Sequence, residues 1–562
     1  MAHFPLTASR SARSGAALPV LALVISIFVL IPVIALFVIA LTGSSQDWPH
    51  LIRYVIPQSI WTTVLLLSGV AILSGSMGIL SAWLVVSCDF PFRRLLSWAL
   101  VLPFAVPTYL AAYAYVEFLD YTGPVQSAIR AIFGYTSGSE YSFPEARSLW
   151  GAVMILSFVL FPYVYLTCRA VFLMQGKAAV DAARTLGVGR LGAFFRVQLP
   201  MARPALAIGI TLALMESLND IGAVEYLGVN TLTFSIYDTW LNRGSLAGAA
   251  QIACAMLIIA FGCVVLERWA RRRQRFNVTR TTGAVFDTVP QKLSGPVAWA
   301  ATVACALPIL AGFGVPFYVL GGFALNRLEQ FVGDRLYSAL FDSLYVSTVT
   351  TLITVVMAFV IAYAARVSGS RIVAYTGRIA SFGYAIPGTV LALGVLIPLA
   401  GLDNLINLAS EQMFGVKVGL LLTGSGAAII YACSIRFLTM AEGSVDAGFQ
   451  KLSPNLDMAA RTLGRNRSQT FVSVLLPMMR PAAMTAALLV FVDTMKELSA
   501  TLLLRPFNFN TLATLVYEDA SRARVEDAAP AALIIMLVGV LPVILISRTT
   551  IRRPSGAPLY RG

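Results

Sequence analysis

Residues Ala16–Leu41 read AALPVLALVISIFVLIPVIALFVIAL, 26 residues without a single charge. A helix of about 20 apolar residues crosses the hydrocarbon core of a bilayer, so this stretch alone removes most soluble folds from consideration. Comparable stretches recur near 58–87, 95–116, 148–168, 204–224, 244–266, 296–326, 343–365, 379–402, 418–435, 481–504 and 528–547, which makes twelve. In hydrocarbon every backbone N–H and C=O needs an internal partner, so each stretch is expected to be a helix rather than an open strand. Composition agrees: 12% of the 562 residues are charged and 58% are hydrophobic, against about 25% charged in a soluble domain. The expected class is an all-α polytopic membrane protein with about 12 transmembrane helices. Arg10 and Arg13 precede the first stretch, yet its apolar run is too long for a cleaved signal, and an uncleaved anchor is expected.

Charge gives the orientation. Of the 41 Lys and Arg residues, 30 fall in alternate loops, the set that shares a side with the amino terminus. By the positive-inside rule this side is cytoplasmic, and with twelve spans both termini lie there. The net charge of +14 is then accounted for by flanks such as RWARRRQR at 268–275, set against anionic lipid. No nucleic-acid partner is implied. Six cysteines without a framework spacing read as small apolar residues, and two histidines cannot build a histidine metal cluster.

One polar segment occurs twice. DAARTLGVGRLGAFFRVQLP at 181–200 and MAARTLGRNRSQTFVSVLLP at 458–477 share 11 of 20 residues at an offset of 277. Other pairs follow: AVP at 105–107 with AIP at 385–387, MARP at 201–204 with MMRP at 478–481, and NTLTFSIYD at 230–238 with NTLATLVYE at 510–518. Six spans per half at a near-constant offset imply two parallel six-helix repeats, 1–280 and 281–562, joined by a linker at about 267–296. Each copy of the polar segment is expected on the cytoplasmic side. It should form a short helix stopped by Gly187 or Gly464 and followed by Pro200 or Pro477 at the start of the next helix.

The pattern acidic-Ala-Ala, three residues, Gly, nine residues, apolar, one residue, Leu-Pro resembles the EAA loop of ABC importer permeases. The first copy fits at Asp181 (in place of Glu), Ala182, Ala183, Gly187, Val197, Leu199 and Pro200, and the second at Ala459, Ala460, Gly464, Val474, Leu476 and Pro477. Met458 stands where the second copy should be acidic. The resemblance implies a type I ABC importer permease fold in a bacterial inner membrane. It further implies that each loop seats in one of two copies of a separate ABC ATPase, through Asp181, Ala182, Ala183, Arg184 and Gly187 in one loop and Ala459, Ala460, Arg461 and Gly464 in the other. The chain has no G-x-x-x-x-G-K-[ST] loop, so no phosphate cradle is recognisable here. ATP and Mg are expected on the partner ATPase, with no cofactor and no catalytic residue in this chain.

Four acidic residues fall inside spans: Glu216 and Asp220, and at the same offset Asp493 and Glu497. An ionisable group at mid-membrane costs about 2.5–3.5 kcal/mol even on insertion scales, so it marks an interior or water-lined position. The i, i+4 spacing expects both members of a pair on one helix face. Counting from Pro200 at about 1.5 Å per residue places them about 24 and 30 Å along the helix, in the outer half of the membrane. Two readings stand. The carboxylates form a translocation pathway for a cation, or they pair with Lys496 and with polar groups of the packed bundle. NDIGAVEYLGVNT at 219–231 and MKELSATLLLRPFNFNTLATLVY at 495–517 resemble the fused ferric-iron branch of these permeases. That likeness implies a periplasmic binding protein delivering Fe(III), which would touch Glu216, Asp220, Asp493 and Glu497 transiently without a tight metal site. A thiamine permease of the same architecture is the nearest alternative, and a twelve-helix secondary transporter a more distant one.

Overall fold

Prolines mark where the apolar helices bend and where they begin. The computed structural model describes residues 11–43, 48–174, 183, 185–271, 290–368, 377, 383–453 and 455–551. Among these, ten helices are long and apolar enough to cross a membrane: Leu18–Thr42, Trp48–Ser87, Leu149–Leu173, Phe194–Asn219, Leu246–Ala270, Pro296–Asn326, Asp334–Ser368, Gly388–Phe414, Ala427–Gln450 and Val525–Ile544. Two bent pairs, Arg93–Ala105 with Thr108–Phe133 (96°) and Ser468–Met478 with Arg480–Met495 (72°), complete the twelve expected spans when each pair counts as one.

The first bend falls at the AVP motif. Val106 N–H closes a tight turn onto the Pro103 carbonyl at 3.1 Å, and Pro107 then opens the next helix with ψ 143°. Ile386 makes the same turn onto Gly383 at 3.2 Å, and Pro387 opens Gly388–Phe414 with ψ 145°. A residue before proline is disfavoured in the α region, which is why both copies break here. The ninth span therefore starts at Gly388 rather than near 379, and the tenth follows at Ala427 rather than near 418.

Four other prolines leave a different mark. Pro57, Pro200, Pro316 and Pro477 each follow a one-turn π-helix: Leu51–Val55, Phe194–Gln198, Leu310–Gly314 and Phe471–Leu475. In each, the residue just before the proline donates its N–H five residues back, as Leu199 does to Phe194 and Leu476 to Phe471. The proline has no N–H and its ring crowds the carbonyl four residues earlier. Widening the turn keeps the helix continuous, one of the recognised uses of a π-bulge.

The chain condenses into two compact units, and neither follows a sequence half. One comprises Met1–Ser45, Leu246–Cys254 and Tyr337–Thr514, the other Gln46–Ser245, Ala255–Leu336 and Leu515–Gly562. In the first unit, the amino-terminal span lies along Gly388–Phe414. The approach is close enough that a Cβ on Gly394 would sit 2.1 Å from the Pro32 carbonyl oxygen, so only glycine fits there. Tyr431 adds a hydrogen bond from its hydroxyl to the Phe28 carbonyl at 2.7 Å. In the second unit, Val315–Asn326 packs on both Thr108–Leu119 and Val525–Ile551. A two-residue parallel strand pair, Cys88–Asp89 with Gln291–Lys292, ties the end of the linker to the first basic loop of the chain.

Candidate functional site

The repeated polar loops end their short helices in the same way. Gly187 and Gly464 have φ of +80° and +82°, the left-handed conformation that costs other residues roughly 1–2 kcal/mol. Val188 N–H reaches back to the Ala183 carbonyl at 3.0 Å, and Arg465 N–H to the Ala460 carbonyl at 3.1 Å. A six-to-one bond closing over a left-handed glycine is the Schellman stop. Ala183 and Ala460 are buried beneath the turn. Ala459 and Met458 are exposed. Asp181, Ala182 and Arg184 lie outside the described residues, as does the side chain of Arg461.

The residue just before each glycine is a leucine, and both leucines face outward. Leu186 is 83% exposed and Leu463 82%. An apolar residue repeated at the tip of a polar loop is the sequence signal that marks them. Arg366 secures the second of these loops. Its guanidinium donates from Nε to Asp457 Oδ2 at 2.8 Å and from Nη1 to the Phe449 carbonyl at 3.0 Å. It thereby fastens the first turn of the loop helix Asn455–Thr462, where an acidic residue also suits the helix dipole.

The acidic pairs do not share a helix face, contrary to the i, i+4 expectation. Helix Leu199–Asn219 stops before Asp220, whose backbone is extended at ψ 113°. Helix Arg480–Met495 likewise stops before Glu497. A short second helix then begins in each copy, Gly222–Tyr226 and Ser499–Leu504. Asp220 Oδ1 accepts from Ala223 N–H at 2.8 Å, and Glu497 Oε1 accepts from Ala500 N–H at 2.9 Å. Glu497 Oε2 also accepts from the N–H and hydroxyl of Thr501 at 3.0 and 2.9 Å. Each carboxylate satisfies N–H groups that a helix start would otherwise leave open.

The second copy carries more charge. Arg436 Nη1 donates to Glu497 Oε1 at 3.1 Å with both side chains buried. Lys496 Nζ lies 2.8 Å from Asp493 Oδ1, the pairing that the second reading of these residues expects. Glu216 is half-buried on the last turn of its helix. Among the described residues, no three His, Cys, Asp or Glu side chains come together to hold a metal ion.

Comparison with known proteins matches the same two regions. The model of the family described as "Binding-protein-dependent transport system inner membrane component" matches twice, at residues 74–276 and 354–553. An Fe(3+)-transport system permease protein of Haemophilus influenzae is 24% identical over 90% of this chain and 92% of its own. A molybdenum transport system permease protein of Escherichia coli is 30% identical over 39% of this chain and 97% of its own. A sulfate transport system permease protein of the same species is 30% identical over 42% and 82%. The two shorter relatives match about two-fifths of this chain and the longer one nine-tenths. With two family matches covering most of its length and the repeated loop in each, the chain belongs to the binding-protein-dependent transport system inner membrane component family and is a multi-pass ABC importer permease.

Proposed function

We propose that the chain is the translocating subunit of an ATP-driven importer whose cargo is ferric iron, moved by alternating access. The reading sets it in a bacterial inner membrane with both termini cytoplasmic. Two copies of an ABC ATPase dock on the paired loops and bind ATP and Mg, and a periplasmic binding protein delivers the cargo on the outer side. Because one chain already carries both repeats, 1–280 and 281–562, one copy serves each transporter.

One observation carries the coupling part. Two loops 277 residues apart close the same hydrogen-bonded turn over a left-handed glycine and expose the same leucine. A loop with no shared task has no reason to hold its geometry this closely. The iron assignment leans on the H. influenzae permease, which matches 90% of this chain, both repeats together. Molybdenum and sulfate permeases are more alike per residue, at 30% identity, so an oxyanion is the second reading. Thiamine remains the alternative by architecture.

In this account the four mid-membrane carboxylates shape the translocation segment. Asp220 and Glu497 hold the breaks in the fifth and eleventh spans, and Asp493 is matched by Lys496. Glu216, half-buried on the last turn of its helix, serves as a pathway residue. Uptake of Fe(III), molybdate, sulfate and thiamine by vesicles containing the chain and its ATPase tests the assignment. Uptake of molybdate or sulfate without iron would replace it.

A further inference from the structure

The second pair of repeated motifs ends in tyrosine: NTLTFSIYD delivers Tyr237 and NTLATLVYE delivers Tyr517. Both motif helices start alike. Thr231 Oγ1 accepts from Phe234 N–H at 3.3 Å, and Thr511 Oγ1 accepts from Thr514 N–H at 3.3 Å. The next backbone N–H is held by a hydroxyl in each, Leu232 to Thr63 at 3.0 Å and Leu512 to Ser343 at 2.7 Å. So the fold spends the same anchoring twice to place one phenol from each repeat. The two phenols meet, with Tyr237 Oη 3.2 Å from Tyr517 Oη. Tyr517 Oη donates in turn to Glu225 Oε2 at 2.5 Å.

Glu225 and Tyr517 line a cavity of about 280 Å³ with Tyr113, Arg147, Tyr226 and Ser521. Among the described residues, no ion-pair partner approaches Glu225, which is half-buried and bonded to a phenol instead. The cavity's one cation, Arg147, is engaged elsewhere: its guanidinium lies 4.9 Å over the Tyr226 ring, facing Glu117 and Asp120. A carboxylate withdrawn from water without a cation is costly, and here it accepts from one phenol that itself meets a second.

We propose that Glu225, Tyr237 and Tyr517 form a reception site for a trivalent hard cation, Fe(III), at the outer end of the translocation segment; this rests on the iron reading above. Carboxylate and phenol oxygens are the hard donors such an ion takes, and the three already lie within hydrogen-bonding distance of one another along the chain Glu225–Tyr517–Tyr237. Binding would release the two phenol protons to water in the cavity. One carboxylate and two phenolates then balance three positive charges, leaving a neutral cluster that low-dielectric surroundings tolerate. Only three protein ligands are supplied, so water or a small chelator completes the ion's coordination and release inward stays open.

The test uses the full chain with its ATPase in lipid nanodiscs and vesicles, with Fe(III) nitrilotriacetate as the probe. Wild type should develop a visible phenolate-to-iron charge-transfer band. Tyr237→Phe with Tyr517→Phe should abolish the band while keeping both rings packed, and Glu225→Gln, which still accepts from Tyr517, should weaken it. Losing a hydrogen-bond partner behind a metal ligand already costs about 10–100-fold in affinity, so ATP-driven iron uptake by the double variant should fall by at least about tenfold at equal ATPase content. Wild-type iron uptake without a band, or normal iron uptake by either variant, overturns the site and leaves the iron reading intact. A wild type that imports an oxyanion or thiamine but no iron overturns both.

Discussion

Asp220 and Glu497 hold equivalent places in the two repeats and do the same local work, yet among the described residues only Glu497 is charge-matched, by Arg436. Breaking a buried ion pair by removing one member is strongly destabilising, about 3–5 kcal/mol, because the other charge stays buried. Arg436→Met should therefore lower the melting temperature of the detergent-purified chain markedly. Adding Glu497→Gln should recover part of the loss, since it removes the stranded buried charge while its one amide oxygen still accepts from the Ala500 or the Thr501 amide. A single variant as stable as wild type would show that the pair adds nothing. The four carboxylates themselves were legible from charge and offset alone. Their roles were not, for a physical reason: the i, i+4 argument assumes an unbroken helix, and these carboxylates end one helix and start another. Asp220 two residues before Gly222, and Glu497 two before Ser499, carried a weak helix-start signal. Arg436 lies 61 residues from its partner, a distance no local pattern spans.

At the scale of elements, the paired loops make two separable predictions. Gly187→Pro with Gly464→Pro forces φ near −65° where the chain needs +80° and +82°, so both turns should be lost and the ATPase should no longer co-purify. Leu186→Asp with Leu463→Asp alters only exposed side chains, and surface changes away from special features usually stay within about 0.5 kcal/mol. That double variant should melt like wild type and still lose the ATPase, which pull-down and melting curves measure side by side. Retention of the ATPase at the wild-type level by the leucine variant would remove these tips from the interface. The stops at Gly187 and Gly464 could be foreseen from glycine chemistry. The π-turns ahead of Pro57, Pro200, Pro316 and Pro477 could not, because a proline equally breaks a helix, as Pro107 and Pro387 do. What separates the outcomes is whether the preceding turn can widen, and that depends on packing.

For the whole molecule, the count of spans followed from hydropathy, but the grouping of spans did not. Each compact unit draws helices from both sequence halves, since apolar helices carry no pattern that names their neighbours. A chain cut in the linker should therefore show mutual dependence. Fragments 1–280 and 281–562 expressed singly should be degraded in the membrane, and co-expressed they should accumulate and purify together. Independent accumulation of either fragment, with a cooperative melt of its own, would contradict this. The central claim, an ATP-driven importer of ferric iron, meets its most direct test in vesicles holding the chain, its ATPase and its binding protein. Fe(III) should accumulate only with ATP on the ATPase side, and excess molybdate, sulfate or thiamine should leave that accumulation unchanged. Accumulation of one of those three in place of iron, or iron uptake that continues without ATP, would contradict it.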